Sequence, residues 1–313
     1  MERDHKAELV IIYGAGARGK GIYNFFARYG KEDAIKGFCD RNYENMSAFH
    51  GKKVMSFEEA LKYELPFLIS ITDKDVDSVR QNIEREHGRW ICLDDMAAFF
   101  GKDRVSFNRE FCAFFHVSGM DGYFEAAEGM LEGFWGEGTP FRSKFNKLDL
   151  KNVIELACGR GRHVHRYLQN AGKITLVDIL EKNMDICRSR FRTEKKIHYY
   201  CNNGYNLEAL KSGEYTSLFC YDAMVHFEMM DIYEYLKDIY RVLVPGGRAL
   251  IHHSNNMGDY RASFANAPNG RSFLSKDLFA YLAYRSGFEI LEQEVIDWGI
   301  KELDCISLIQ KPK

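Results

Sequence analysis

VIELACGRGRH, residues 153–163, joins an apolar run to a glycine-rich turn and then to the start of a helix. Val153, Ile154 and Leu156 suit a strand buried in a parallel sheet, and packing gives no reason for the acid at Glu155. Gly159 and Gly161 take backbone angles closed to other residues and let a ligand approach the main chain. The helix start that follows presents free N–H groups. The stretch reads as a nucleotide-binding loop with room for a cofactor.

Downstream, the pattern alternates between helices and strands. A helix over 163–171 leads to a strand over 174–177 that ends at Asp178, the position at which a second strand offers an acid to a ribose. An Asp that only caps the next helix is the plainer alternative. Residues 195–201 read as a third strand ending at Asn202-Asn203-Gly204, and 217–221 as a fourth that delivers Asp222 and, four residues on, His226 to the carboxyl edge of the sheet. After a helix over 236–243 and the turn Val244-Pro245-Gly246-Gly247, a fifth strand over 248–252 brings His252, His253, Ser254 and Asn255 to the same edge. A helix over 277–287 and strands over 289–298 and 305–310 complete the pattern.

E-x-A-x-G-x-G with an acid one strand later resembles motif I of the class I S-adenosylmethionine-dependent methyltransferases, with Ala157 where the family's first glycine stands. The resemblance spans roughly residues 119–313 and extends to Asp178, Asp222, the P-G-G turn and an antiparallel closing pair of strands, which together are more specific than any one of them. It implies S-adenosyl-L-methionine as cofactor. It also implies that Ala157, Gly159 and Gly161 pack against the methionine part, that Glu155 sits beside its amino group, and that Asp178 binds the ribose. Asn203, preferred to Asn202, is implied at the adenine edge, since an amide both donates and accepts. Asp222 matches the family's motif IV acid near the methyl donor.

For proton transfer from a hydroxyl acceptor the candidates are His226 and His253, because an imidazole titrates near physiological pH. In many relatives an equivalent of His226 serves cofactor packing instead. His252 and Asn255 are candidates to hold acceptor hydroxyls. Paired histidines are potential metal ligands, but no third ligand stands at a known spacing, so no metal is expected. In the family, segments ahead of motif I form a lid; Tyr123, Trp135 and Arg142 are lid candidates here, with Trp135 also a candidate substrate contact and plain packing as the alternative for each.

The N-terminal hundred residues have their own glycine turn. An apolar run over 9–13 ends in Gly14-Ala15-Gly16-Ala17-Arg18-Gly19, a helical pattern follows through Ile22, Phe25, Phe26 and Tyr29, and Asp40 closes a second strand about 20 residues after the turn. Gly14, Gly16, Gly19 and Asp40 thus form a candidate nucleotide site. GAGARGKG followed by GFCDRN resembles the small Rossmann-like domains of bacterial glycan-modifying proteins, among them the nucleotide-sugar-binding domain that precedes some sugar acetyltransferases. A dinucleotide, a sugar nucleotide and a structural domain with a relic turn all stay open. Residues 97–117, rich in Phe, are too apolar for a flexible linker and read as packed helices.

The chain has 313 residues, with 43 basic against 45 acidic, and no basic block, so nucleic acid is not expected as a partner. No run reaches the roughly 20 apolar residues of a membrane span. The eight cysteines are scattered without C-x-x-C spacing and read as reduced packing residues of a cytoplasmic protein. Whether copies associate as a homo-oligomer stays open.

The expected architecture is α/β, with two doubly wound Rossmann-like domains: 1–105, then a helical connector and lid over 106–150, then a class I methyltransferase sheet with an antiparallel closing strand over 151–313. The expected activity is methyl transfer to a sugar, sugar nucleotide or related small molecule, as an O-methylation in carbohydrate biosynthesis. Its rivals are an NAD(P)-dependent oxidoreductase using the N-terminal glycine turn and a non-catalytic nucleotide-sensing scaffold.

Overall fold

The computed structural model of the protein describes residues 9–71, 73–118, 122–261, 264 and 267–313. The chain divides into two compact units: Met1–Asp121 with Arg261–Gly270, and Gly122–Tyr260 with Arg271–Lys313. The connector anticipated over 106–150 is therefore shared out. Its Phe-rich first helix belongs to the first unit, its later helices belong to the second, and ten residues from the C-terminal half return to the first.

In the first unit β1 (Val10–Tyr13) is followed by α1 (Ala17–Arg28), β2 (Ile35–Cys39), the hairpin β3 (Ala48–Phe49) and β4 (Lys52–Met55), α2 (Phe57–Leu61), β5 (Phe67–Ile69), α3 (Asp73–Arg85), β6 (Trp90–Ile91) and α4 (Arg104–Ser118). The sheet order is β3-β4-β2-β1-β5-β6, parallel except for the β3–β4 hairpin, which is not evident in the sequence pattern. Phe25 and Phe26 of α1 face inward, and Phe25 meets Phe107, Phe111 and Phe114 of α4 edge-on at 5.3–5.6 Å. Such aromatic pairs add to the burial of area and explain why this stretch is packed rather than a linker. Phe264, from the returning segment, joins the cluster against Phe111 and Phe115.

The second unit opens with three short helices, α5 (Tyr123–Gly129), α6 (Glu132–Trp135) and α7 (Pro140–Phe145). Next come β7 (Asn152–Leu156), α8 (Val164–Tyr167), β8 (Lys173–Asp178), α9 (Glu181–Arg190), β9 (Ile197–Cys201), β10 (Tyr215–Cys220), α10 (Met229–Val242), β11 (Leu243–Ser254), α11 (Lys276–Arg285), β12 (Glu289–Ile296) and β13 (Asp304–Gln310). The seven strands lie in the order β12-β13-β11-β10-β7-β8-β9, parallel except for β13, which runs antiparallel to both β11 and β12. α10 shows why a helix forms and where it packs: Ile232, Tyr235, Leu236, Ile239 and Val242 recur at three- and four-residue spacing and are buried against the sheet. β7 lies beside β10, at the point where the strand order reverses, and an open α/β sheet has its ligand crevice at the carboxyl ends of such strands. Among the described residues no helix is long and apolar enough to cross a membrane.

Candidate active site

The chain turns sharply after β7. Ala157, Gly159 and Gly161 have φ of +56°, +55° and +74°, so the turn requires three residues in the left-handed region, and Ala157 bears a Cβ there. The turn is tied to the neighbouring strand: the Cys158 amide donates to Val177 O at 3.0 Å, and the Gly159 amide donates to Asp178 Oδ2 at 2.9 Å. The other oxygen of Asp178 accepts from the Leu180 amide at 2.9 Å and from Asn183 Nδ2 at 3.1 Å. Burial pushes this carboxyl up to about 6, against the pull of those donors.

Glu155 is more enclosed. It is 1% exposed, its Oε2 accepts from the Tyr167 hydroxyl at 2.6 Å, and its Oε1 is buried with no hydrogen-bond partner. Burial pushes its carboxyl up to about 8, with Tyr167 and then the Arg162 charge acting in the opposite direction. An acceptor left unpaired in a protein interior is costly, and a hydrogen-bond donor from a ligand would satisfy it.

Asp222 follows β10 at φ +56° and pairs with Arg162 Nη2 at 2.8 Å, both side chains being nearly buried. Arg162 also donates from Nη1 to Ala127 O in α5 at 3.4 Å. Sequence reading missed Arg162; the signal was present as a second arginine inside the glycine turn. α5 itself lies against that turn. A Cβ added to Gly159 would stand 3.2 Å from the Phe124 ring, Arg160 stacks over that ring at 4.1 Å, and Arg160 and Arg190 reach Glu125 and Glu128 of the same helix. The lid candidates fall differently. Tyr123 is in α5, beside Phe124. Trp135 is a core residue: it is 5% exposed, packs edge-on against Phe141 and Phe145, and donates from Nε1 to His163 Nδ1 at 3.0 Å. A substrate contact is not open to a ring enclosed in this way. Arg142 donates to Trp135 O at 2.7 Å and so braces that core.

The strand-five cluster is corrected by the pleat of the sheet. His252 and His253 lie within β11 and face opposite sides, so they do not share a site. His253 is wholly buried and stacked on Phe279 of α11 at 3.9 Å, and it hydrogen-bonds Ser254 O and Ser307 Oγ, each at 2.8 Å. Burial depresses its ring to about 3, and with both nitrogens engaged it is not placed to take a proton from an acceptor. His252, also wholly buried, is bonded to the Asp222 amide and to Asp304, which leaves it no nitrogen for an acceptor hydroxyl. Asn255 staples a loop, donating to Glu302 O and accepting from the Lys276 amide. Asn203 sits after β9 with Oδ1 accepting from the Tyr205 and Asn206 amides in a local turn. His226 ends the short turn Met224–His226 after Asp222 and keeps part of its surface exposed. Among the described residues no group of three or more His, Cys, Asp or Glu is arranged to hold a metal ion.

In the first unit, Gly14 (φ +112°) starts the glycine turn, and a Cβ on Gly19 would stand 2.1 Å from Gly14 O, so the helix is pressed against the turn. Asp40 Oδ2 accepts from the Ala15 amide at 2.7 Å, and Gly16 caps α1 without a side-chain bond, with open space beside its Cα. The two glycine turns thus share one device: an acid at the end of the second strand holds a turn amide.

Residues 153–247 match a family model described as a methyltransferase domain. No curated protein matches the sequence. Among solved structures the chain is similar to the PH0226 protein of Pyrococcus horikoshii, at 17% identity over 61% of this chain and 92% of that one, with a TM-score of 0.46. It is also similar to S-adenosylmethionine-dependent methyltransferases of Mesorhizobium loti (14%, 55% and 97%, TM-score 0.46) and Clostridium acetobutylicum (14%, 62% and 100%, TM-score 0.46). The family match falls on the glycine turn and on β7 to β10 with the start of β11, and with it the C-terminal unit carries a methyltransferase domain, which makes the protein a methyltransferase.

Proposed function

We propose that the protein O-methylates a sugar, a sugar nucleotide or a related small molecule of carbohydrate biosynthesis, with His226 as the base. The observation that carries this reading is the state of the three histidines near the edge: His252 and His253 are sealed in the sheet, while His226 is partly exposed one short turn after Asp222. The near-balance of charge supports a small acceptor over a polyanion. The resemblance of the N-terminal unit to glycan-enzyme domains supports a sugar.

The residues present fit S-adenosylmethionine, the cofactor that the sequence resemblance implies. Glu155 Oε1 is an unpaired buried acceptor suited to an ammonium group, and Ala157, Gly159 and Gly161 shape the left-handed turn that follows it. Asp178 would hold ribose hydroxyls, Asn203 the adenine edge, and Asp222 would lie by the methyl donor. S-adenosylmethionine, when bound, supplies an activated methyl group. The chain's own part is to align the acceptor, which does most of the work in an in-line displacement, and to remove the proton of its hydroxyl through His226.

The test is incubation of the purified protein with isotopically labelled S-adenosylmethionine and panels of sugars, sugar nucleotides and amines. Label in a base-stable methyl ether of a sugar is the expected result, and label only in amine products would reject O-methylation. A second expectation concerns pH. Because burial holds the Glu155 carboxyl protonated up to about 8, pairing with an ammonium group must expel that proton. S-adenosylhomocysteine affinity should therefore fall as pH drops from 8 to 6, approaching tenfold per unit at the low end. Glu155→Gln, which keeps an acceptor for Tyr167, should bind weakly with little pH dependence. Calorimetry in two buffers of different ionisation enthalpy reads the released proton directly; equal heats at pH 7 would count against the pairing.

A further inference from the structure

Asp222 stands at φ +56°, a conformation that residues with a Cβ seldom adopt unless their surroundings impose it. Two bonds impose it here. Its carboxylate pairs with Arg162, and its amide donates to His252 Nδ1 at 3.1 Å. A backbone N–H is only ever a donor, so His252 Nδ1 carries a lone pair, and the ring is neutral with its proton on Nε2. That nitrogen meets Asp304 Oδ2 at 3.1 Å. Asp304 in turn receives the guanidinium fork of Arg271, Nε on Oδ1 at 2.9 Å and Nη2 on Oδ2 at 2.6 Å. The whole relay is interior: His252 and Asp304 are 0% exposed and Arg271 is 3% exposed. His252 is further fixed by the rings of Tyr221 at 4.6 Å and Trp298 at 5.2 Å.

A buried ionic chain of this kind is a poor stabiliser compared with apolar packing of the same volume; what it supplies is direction. This one points at a single amide on the donor edge. The neighbouring Ser272 gives its own amide to Val225 O at 3.0 Å, so the segment that carries Arg271 also fixes the turn that ends in His226.

We propose that His252 is a positioning residue for methyl transfer: oriented by Asp304 and Arg271, its Nδ1 holds the Asp222 amide and with it the left-handed conformation that sets the Asp222 carboxylate at the donor edge. The proposal rests on the reading of Asp222 as a residue of the methyl-donor site. It deepens that reading by assigning a role to a histidine that neither donates to nor accepts from a substrate.

Two substitutions separate positioning from packing. In His252→Asn the side-chain oxygen occupies the place of Nδ1, so the acceptor for the Asp222 amide remains and the link to Asp304 is lost. In His252→Gln the amide nitrogen occupies the place of Nε2, so the link to Asp304 remains and the acceptor is lost. Titration of S-adenosylhomocysteine into each full-length variant is expected to show His252→Asn within about threefold of wild type despite a lower thermal midpoint. His252→Gln is expected to bind at least tenfold more weakly despite the higher midpoint of the two. The reverse order, or equal affinities in the two variants, would overturn the proposal, since the relay would then serve only the core. Should neither variant fold, ¹⁵N spectroscopy of the wild-type His252 ring decides: an unprotonated Nδ1 with scalar coupling to the Asp222 amide is expected, and a protonated Nδ1 overturns the assignment. A wild-type protein that does not bind S-adenosylhomocysteine brings down the donor-site reading and this proposal with it, a result distinct from wild-type binding with the variants in reversed order.

Discussion

Asp178→Ala is expected to weaken S-adenosylhomocysteine binding by at least about a hundredfold, which corresponds to roughly 2.7 kcal/mol. The size follows from what the carboxylate holds before any ligand arrives. Its two oxygens accept from the Gly159 amide, the Leu180 amide and Asn183 Nδ2, so it joins the glycine turn after β7 to the start of α9. Bonds to an ionised acceptor are worth more than neutral ones, and each buried donor that loses its partner costs about 1–3 kcal/mol. Removing the carboxylate deprives the ribose of its acceptor and frees the turn that must lie flat under the cofactor. Asp178→Asn should be intermediate, because its amide group keeps one acceptor but turns a donor toward another. Calorimetric titration at a temperature where both variants are folded by circular dichroism provides the check. Binding by Asp178→Ala within tenfold of wild type would mean that Asp178 ties the turn to the start of α9 without holding the ligand.

The same residue shows how far the sequence could be read. An apolar strand, a turn of small residues and an acid one strand later are local features, and local features are what periodicity and turn chemistry report. The alternation of strands and helices followed from them, and in the structure β7, β8 and β10 carry Glu155, the glycine turn, Asp178 and Asp222 at or just after their carboxyl ends. The cluster His252-His253-Ser254-Asn255 was misread for an equally physical reason. Four polar residues in a row look like a loop at a ligand edge, but β11 continues to Ser254, and alternation buries its two histidines on opposite faces. Their partners, Asp304 and Ser307, come from β13, about fifty residues later in the chain, and nothing local announces them. Trp135 failed similarly: its place just ahead of motif I suggested a lid, whereas the His163 ring nitrogen that satisfies its N–H lies across the motif I turn. The division between the units was hidden too, because Phe264, late in the chain, packs with Phe111 and Phe115 of the first unit.

The largest effect on turnover is expected from His226→Ala. An imidazole has its ordinary pKa near the working pH, and general-base catalysis is worth about 10²–10⁴-fold, so kcat should fall by at least a hundredfold at pH 7 with a hydroxyl acceptor. S-adenosylhomocysteine affinity should stay within a few-fold, since no cofactor contact is assigned to this side chain. His253 supplies the contrast. Enclosed against Phe279, with both nitrogens bonded inside the sheet and its ring held neutral by burial, it is a packing residue, so His253→Ala should lower stability while folded molecules keep their turnover. The two substitutions thus predict opposite signatures, one in kcat with the melting temperature kept, the other in melting temperature with kcat kept. Near-wild-type kcat in His226→Ala would dispose of the base, and with it the case for a hydroxyl acceptor over an amine, because a neutral amine brings its own lone pair to the methyl group and needs no proton removed before it attacks.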